Sequence, residues 1–147
     1  MIDLRGHENP EIENLPYGYA RHRMELDAAG KAVDYTFLEV NTAFERMTGL
    51  SRTSIIGRRV TEALKGIDIS TFNWIEHYAQ VASGRVSLRF EEFSEPLQRW
   101  YEVKAYSESP GFFTTVFTDI TSRKSVENAK QNKEHKLELL LNASRAM

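Results

Sequence analysis

Short segments rich in β-branched and aromatic residues predict five β-strands, several of them with apolar side chains at every second position. The segments cover residues 19–26, 33–40, 86–91, 101–105 and 112–118. Turn-forming residues separate them, among them Asp27-Ala28-Ala29-Gly30 before the second strand and Ser94-Glu95-Pro96 after the third. The last three strands, joined by short turns, are typical of an antiparallel meander.

The second predicted strand is apolar on both faces, so each face needs a cover: the core, or a partner. Strict alternation puts Leu38 and Val40 on one face, and Val33, Tyr35 and Phe37 on the other. We take the face with Leu38 and Val40 as the one that points inward. The opposite face then becomes a candidate interface.

A spacing of three to four between apolar residues predicts helices between the second and third strands. Asn41 is placed to cap a helix over Thr42–Thr48, which Gly49 closes. Further helical segments cover residues 51–56 and 72–83, and a short helix begins at Pro10. From residue 119 onward the pattern is that of one long polar helix.

The long helix has only a partial apolar line for pairing with a second helix. Its members are Val126, Ala129, Leu140, Ala143 and Met147, and two lysines interrupt them. The order of elements is therefore two strands, several short helices, three strands and an exit helix. This order predicts an α+β domain with a five-stranded antiparallel sheet and helices over one face.

Composition and charge narrow the function classes. The 147 residues include 41% apolar ones, enough for one core, and 19 basic against 21 acidic side chains give a net charge of −2. Residues 122–147 carry six Lys or Arg and three Glu, hence +3, which leaves −5 on the rest. A chain with this balance offers no general electrostatic basis for binding nucleic acid.

The chain contains no cysteine. This excludes disulfides, thiolate metal ligands, a thiol nucleophile and any chromophore attached through cysteine. The first residues lack the apolar core of a signal peptide, and no apolar run approaches the roughly 20 residues of a membrane-spanning helix. We therefore expect a cytoplasmic segment that makes no contact with a membrane.

Three local motifs occur in order along the chain. The first is Phe-Leu-Glu-Val-Asn-Thr-Ala-Phe at residues 37–44. The second is Thr-Gly-Leu at 48–50, followed by Ile-Ile-Gly-Arg-Arg-Val at 55–60, and the third is Phe-Thr-Asp-Ile-Thr-Ser-Arg-Lys at 117–124. Together they closely resemble a PAS domain of the sensory type found in bacterial and archaeal histidine kinases and diguanylate cyclases.

The resemblance implies a division of the chain into three parts. Residues 1–16 would form an N-terminal cap segment, 17–121 the PAS domain, and 122–147 a signalling helix that leads to a further module. It also implies a sensory role, with a small ligand or cofactor bound between sheet and helices and an output domain in cis. That output domain would be a histidine kinase or, as the alternative, a diguanylate cyclase.

The candidate pocket residues are apolar side chains that alternation or helical spacing directs inward: Leu38, Val40, Phe44, Met47, Ile56, Trp74, Tyr78, Phe90, Val103 and Val116. The same pattern is equally that of an ordinary core. Asn41 could contact a ligand, but its position immediately before a helix favours a capping role worth roughly 1 kcal/mol.

The candidate signal-transfer residues are Asp119, Thr121 and Arg123, at the junction between the last strand and the exit helix. Asp119 is expected to cap that helix, and Thr121 and Arg123 lie within its reach along the first turn. Because such a cap sets the angle at which the helix leaves the sheet, one bond could serve both stability and signalling.

The cofactor remains open. Without cysteine, neither a covalent flavin adduct nor a thioester chromophore can form, whereas noncovalent flavin stays possible. The resemblance points to a haem-ligating histidine on the helix at 72–83, but His77 lies off the face of Trp74 and Tyr78, so haem is not expected. Metal-ligand spacing is lacking around the other histidines, His7, His22 and His135.

Two functional hypotheses remain, and neither is enzymatic, because the sequence shows no nucleophile–base pair or phosphate-binding loop. Glu91, Glu92 and Glu95 at a strand end are better explained as a solvated edge. In the first hypothesis, the domain senses a small molecule and signals through its exit helix. In the second, it only forms a homodimer, through the odd face of the second strand and the helix with Ile12 and Leu15.

Overall fold

A computed structural model describes residues 10–145 and confirms the predicted α+β fold with one five-stranded antiparallel sheet. The strands are β1 (Gly18–Leu26), β2 (Ala32–Val40), β3 (Leu88–Ser94), β4 (Arg99–Tyr106) and β5 (Phe112–Asp119). The helices are α1 (Pro10–Glu13), α2 (Thr42–Thr48), α3 (Arg52–Ile55), α4 (Val60–Ala63), α5 (Trp74–Ala82) and α6 (Thr121–Arg145), with a 3-10 turn at Ile67–Ile69. His7 and Met147 lie outside the described residues.

The strand order is β2-β1-β5-β4-β3, so the first and last strands are neighbours near the middle of the sheet. Tyr19 of β1 is paired with Val116 of β5, and Val103 of β4 with Phe117 of β5. The exit helix α6 therefore leaves from a strand that is hydrogen-bonded on both sides. This strand is the covalent connection between the sheet and α6.

An irregularity in β2 reverses the predicted inward face over most of that strand. Arg21 pairs with Glu39 and the next residue, His22, pairs with Phe37, so Leu38 is an extra residue of a β-bulge. Tyr35 and Phe37 consequently point into the core, and so does Val40 after the bulge, while Leu38 is only half-buried.

The bulge also removes the interface that alternation predicted on the odd face of β2. Tyr35 and Phe37 from that face are core residues, and only Val33 is exposed. Ile12 and Leu15 are half-buried. The odd face is therefore covered by the domain's own helices and is not available to a partner.

The core lies between the sheet and the short helices and is unusually aromatic. His22 stacks on Phe113 with ring centroids 4.3 Å apart, and Tyr78 of α5 packs on the same ring at 4.8 Å. Phe44 contacts both Phe37 and Phe117 edge-on. Such ring pairs add roughly 0.5–1.5 kcal/mol each beyond their buried area, so this layer holds helices and sheet together.

The exit helix α6 is 25 residues long and has no buried residue. Only its beginning packs on the domain, against β4. Val126, Ala129, Leu140 and Ala143, four members of the predicted apolar line, are exposed. Pairing of this helix with a second one stays a prediction.

Candidate ligand cavity and exit-helix joint

A cavity of about 80 Å³ lies between the sheet and helices α2 and α5. Four of the ten predicted pocket residues line it: Phe44, Trp74, Tyr78 and Val103. The rest of its wall includes residues that the sequence did not single out, notably His22, Tyr35, Phe37, Tyr101 and Phe117. The cavity therefore occupies the place where the resemblance puts a ligand, but with a largely different wall.

Three of the predicted pocket residues lie outside the cavity, because β2 contains a bulge and α3 ends earlier than predicted. Leu38 is displaced by the bulge, and Val40, although fully buried, packs beside Ala20. Ile56 follows the last residue of α3 and is exposed.

Met47, Phe90 and Val116 are also absent from the cavity wall. Phe90 packs against Trp74 with ring centroids 5.8 Å apart, behind the cavity. Val116 lines a separate pocket with Tyr17 and Lys104 on the other face of the sheet. Met47 is near the cavity, and what it contributes to the site is its backbone carbonyl.

His22 is the least expected member of the wall. It is 3% exposed, and its Nδ1 lies 3.3 Å from the carbonyl oxygen of Phe113. This contact assigns the proton to Nδ1, and burial lowers the pKa of the imidazole to about 3. The ring is therefore neutral at physiological pH. The sequence feature that indicates an inward-pointing His22 is its alternation with Ala20 and Met24, which are also buried.

Trp74, a residue of the cavity wall, carries an unsatisfied hydrogen-bond donor. Among the described residues, its Nε1 is the one buried side-chain nitrogen or oxygen without a hydrogen-bond partner. Leaving such a group unpaired costs about 1–3 kcal/mol. Unpaired buried donors are rare, and this one belongs to a residue of the cavity wall, so it is a candidate contact for a bound molecule.

The size of the cavity decides which cofactors fit this conformation. Cofactor and ligand pockets commonly measure about 300–1,000 Å³, several times the cavity seen here. A flavin or haem does not fit. His77 is also outside the wall: its Nδ1 donates to the Asn73 carbonyl at 2.7 Å, and its ring stacks on Phe72.

Asp119 holds the first residue of the exit helix. Its Oδ1 accepts a hydrogen bond of 2.9 Å from the backbone N–H of Thr121, which would otherwise lack an intrahelical partner. Its Oδ2 lies 3.8 Å from Nη1 of Arg99. Asp119 is thus joined to both the helix and the neighbouring strand β4.

Thr121 fastens the same turn to β4. Its Oγ1 accepts a hydrogen bond of 2.9 Å from the Trp100 N–H, and the Ile120 N–H donates to the Trp100 carbonyl at 2.9 Å. Lys124 lies over the Trp100 ring at 5.0 Å. The start of α6 is therefore bonded to β4 through the backbone of Trp100.

The sequence places Arg123 within reach of Asp119, but in the structure Arg123 pairs with other carboxylates. It forms ion pairs with Glu91 of β3 and with Glu127 on its own helix. Glu91 also pairs with Lys124 at 3.0 Å, and these two hydrogen-bonded cations hold the pKa of its carboxyl below the usual range. The partner lies 32 positions away in sequence, which spacing along a helix cannot reveal.

A chain of contacts connects the cavity wall with this joint. The hydroxyl of Tyr101, a wall residue, donates to the Met47 carbonyl at 2.9 Å. Arg99 donates to the same carbonyl and also approaches Asp119. One guanidinium therefore links the end of α2, beside the cavity, to the start of α6.

Asn41 holds the other end of α2. It is fully buried, and its Oδ1 accepts from the N–H groups of Phe44 and Tyr19 at 2.9 and 3.0 Å. Its Nδ2 donates to the carbonyls of Ile12 and Tyr17 at 2.9 and 3.1 Å. The side chain therefore caps α2 and also holds the segment that precedes β1.

Within residues 10–145, no group of three or more His, Asp or Glu side chains is arranged to hold a metal ion. Within the same residues, no helix has both the length and the apolar character needed to cross a membrane.

Comparison with known proteins agrees with the fold. Residues 31–125 match the family described as PAS fold, whereas a search of curated proteins finds no match. An RNA-binding light-oxygen-voltage receptor superimposes with a TM-score of 0.56 at 16% identity, over 90% of this chain and 39% of the receptor. This chain thus spans well under half the length of that receptor.

Two single domains are similar over most of their own length. A domain of an HTR-like protein from Haloarcula marismortui gives a TM-score of 0.53 at 17% identity, over 73% of this chain and all of that domain. A domain of a sensory box sensor histidine kinase/response regulator from Geobacter sulfurreducens gives 0.53 at 20%, over 74% and 87%. Because this family match at residues 31–125 covers well over half of the chain, the chain belongs to the PAS fold family.

Proposed function

We propose that this chain is a sensory module in which occupancy of the cavity changes the way α6 leaves the sheet. The observation that carries the proposal is the position of Arg99. Its guanidinium bonds the Met47 carbonyl, which Tyr101 of the cavity wall also holds, and it lies 3.8 Å from Asp119 at the joint. A molecule that moves Tyr101 or α2 therefore changes the environment of Asp119.

The energies involved suit such a relay. An ion pair as exposed as Arg99 and Asp119 contributes up to about 1 kcal/mol to stability. Coupling between a ligand and a distant site is typically 1–3 kcal/mol. Loss of this pair would therefore leave the domain folded while removing much of the coupling.

The output is proposed to be a domain in cis that follows α6. A histidine kinase is favoured over a diguanylate cyclase, because one structurally similar domain comes from a sensor histidine kinase/response regulator. In this arrangement the chain itself carries no catalysis. It supplies a ligand-dependent position of α6, and the kinase domain reads that position.

A specific observation also supports pairing of two copies. The leucines near the end of α6 are each more than half exposed: Leu137, Leu139, Leu140 and Leu141. We place a homodimer contact along this part of the helix, where pairing would cover them. The alternative function is dimerisation alone. A domain with that function would need this leucine surface but no ligand cavity.

A spin label on α6 distinguishes the two functions. The chain has no cysteine, so Val126→Cys, at an exposed position, gives a single labelling site. We expect Val103→Leu, which fills part of the cavity, to change the distance between the two labels of a dimer. Lys104→Leu, the neighbouring exposed position, is the matched control and should leave it unchanged. Identical distances in the Val103→Leu protein and its parent would favour the function of dimerisation alone.

A further inference from the structure

The charge of the cavity wall restricts what the cavity can hold. The described residues that line it include no Asp, Glu, Lys or Arg, and His22 is neutral. An ion entering this space would lose its hydration and gain no opposite charge, which is strongly unfavourable. The wall therefore selects a neutral molecule.

The volume sets a second restriction. The cavity measures about 80 Å³, roughly half of the ~150 Å³ in which an engineered protein cavity binds benzene. An occupant smaller than benzene, of about four non-hydrogen atoms, matches this space.

The third restriction comes from Trp74. Its indole N–H is buried and lacks an acceptor among the described residues. Its ring neighbours are Phe72, Tyr78 and Phe90, at centroid distances of 4.8, 6.1 and 5.8 Å. These rings are weak acceptors at best, whereas a carbonyl or hydroxyl oxygen in the cavity would satisfy the donor after a small shift of the ring.

We infer that the cavity takes a neutral molecule of about four non-hydrogen atoms that accepts a hydrogen bond from Trp74 Nε1. The inference rests on the proposed sensory function, since it names the ligand class for the same cavity. Small ketones, alcohols and amides belong to this class. Carboxylates and ammonium ions of equal size do not.

Three probes of about the same size separate the two chemical properties, charge and the hydrogen-bond acceptor. Acetone is neutral and has an acceptor, isobutene is neutral and has none, and acetate is charged. Each is titrated into the ¹⁵N-labelled chain while the two indole N–H resonances are followed. Trp100, which packs outside the cavity on Phe93 and under Lys124, is the internal control.

Acetone is expected to bind in the millimolar range and to move the Trp74 indole proton downfield in a saturable way, with Trp100 unaffected. Isobutene should perturb the amides of Val103 and Thr115 without the downfield shift, and acetate should do neither. Trp74→Phe should weaken acetone binding about threefold to tenfold more than isobutene binding, as for loss of one hydrogen bond. Val103→Leu should weaken both.

Several results would overturn the inference: acetate binding as tightly as acetone, saturation by acetone with an unmoved Trp74 resonance, or the absence of saturable binding by either neutral probe. The last would mean that the cavity holds water only. A different result identifies failure of the proposed function alone. If acetone binds as described but the label distance on α6 does not respond, the ligand class stands and the sensory role falls.

Discussion

We expect the free energy of unfolding to decrease by about 1.4 kcal/mol per pH unit as the pH falls below 6.5, because of His22 alone. In the folded chain, burial lowers the pKa of His22 from 6.5 to about 3. Between these values the unfolded chain binds a proton that the folded chain does not, so acid favours unfolding. The loss reaches the order of 5 kcal/mol at pH 3, a large part of the stability of a small domain.

Urea unfolding at pH 7.0, 6.0, 5.0 and 4.5 measures this slope. His22→Phe keeps an aromatic ring among Tyr35, Phe37 and Phe113 but cannot be protonated. Its stability should change much less over this range, whatever its value at pH 7. His77→Gln, on the outer side of α5, is the matched control and should keep the parent slope. Equal slopes for His22→Phe and the parent chain would show that His22 is not held neutral.

Asn41→Ala should destabilise the fold by about 3 kcal/mol, several times the roughly 1 kcal/mol of an ordinary helix cap. The side chain makes four hydrogen bonds, and only the one to the Phe44 N–H belongs to the cap. The others hold β1 and the segment before it. Removing the side chain therefore leaves backbone groups of Tyr19, Ile12 and Tyr17 without this partner.

A second cap in the same domain provides the comparison. Asn73 caps α5 by accepting from the Glu76 N–H at 3.1 Å and is exposed. Asn73→Ala should cost about 1 kcal/mol in the same urea experiment. If the two alanine variants lose equal stability, Asn41 acts as a cap only, and the segment at residues 10–17 does not depend on it.

The fold follows from local signals that agree with one another. Asn41 and Gly49 delimit α2, whose predicted and observed bounds coincide, and the glycine has a φ of 77° that other residues rarely adopt. The alternation of Tyr101, Val103 and Ala105 places all three in the core. These signals need only a few neighbouring residues, which is why they can be read from one sequence.

The composition of the cavity wall depends on the register of the strands, which local sequence patterns do not show. Leu38 and Val40 were predicted on one face of β2, but a single extra residue in the strand reverses the alternation before it. A bulge of this kind leaves no mark in residue types. The lack of metal-ligand spacing around His22 says nothing about its burial, whereas its alternation with Ala20 and Met24 in β1 does, since both are buried.

The joint was predicted in part. The position of Asp119 and Thr121 at the end of the last strand identified the place, and both side chains bind there. The partners Arg99 and Glu91 come from β4 and β3, and their contacts depend on the register of the sheet. Long-range pairs between charged side chains are beyond the reach of spacing rules.

Hydrogen exchange of the Lys124 amide, in the first turn of α6, tests the central claim that Asp119 transmits a change in the cavity to the exit helix. The measurement compares the parent chain, Val103→Leu, Asp119→Asn and the double variant. Asp119→Asn keeps an oxygen for the Thr121 N–H but loses the charge that faces Arg99. A coupling of about 1 kcal/mol predicts that Val103→Leu changes the exchange rate about fivefold in the parent chain. In the Asp119→Asn background, the same substitution should change the rate by a much smaller factor. The same change in both backgrounds, or no change in either, would contradict the claim.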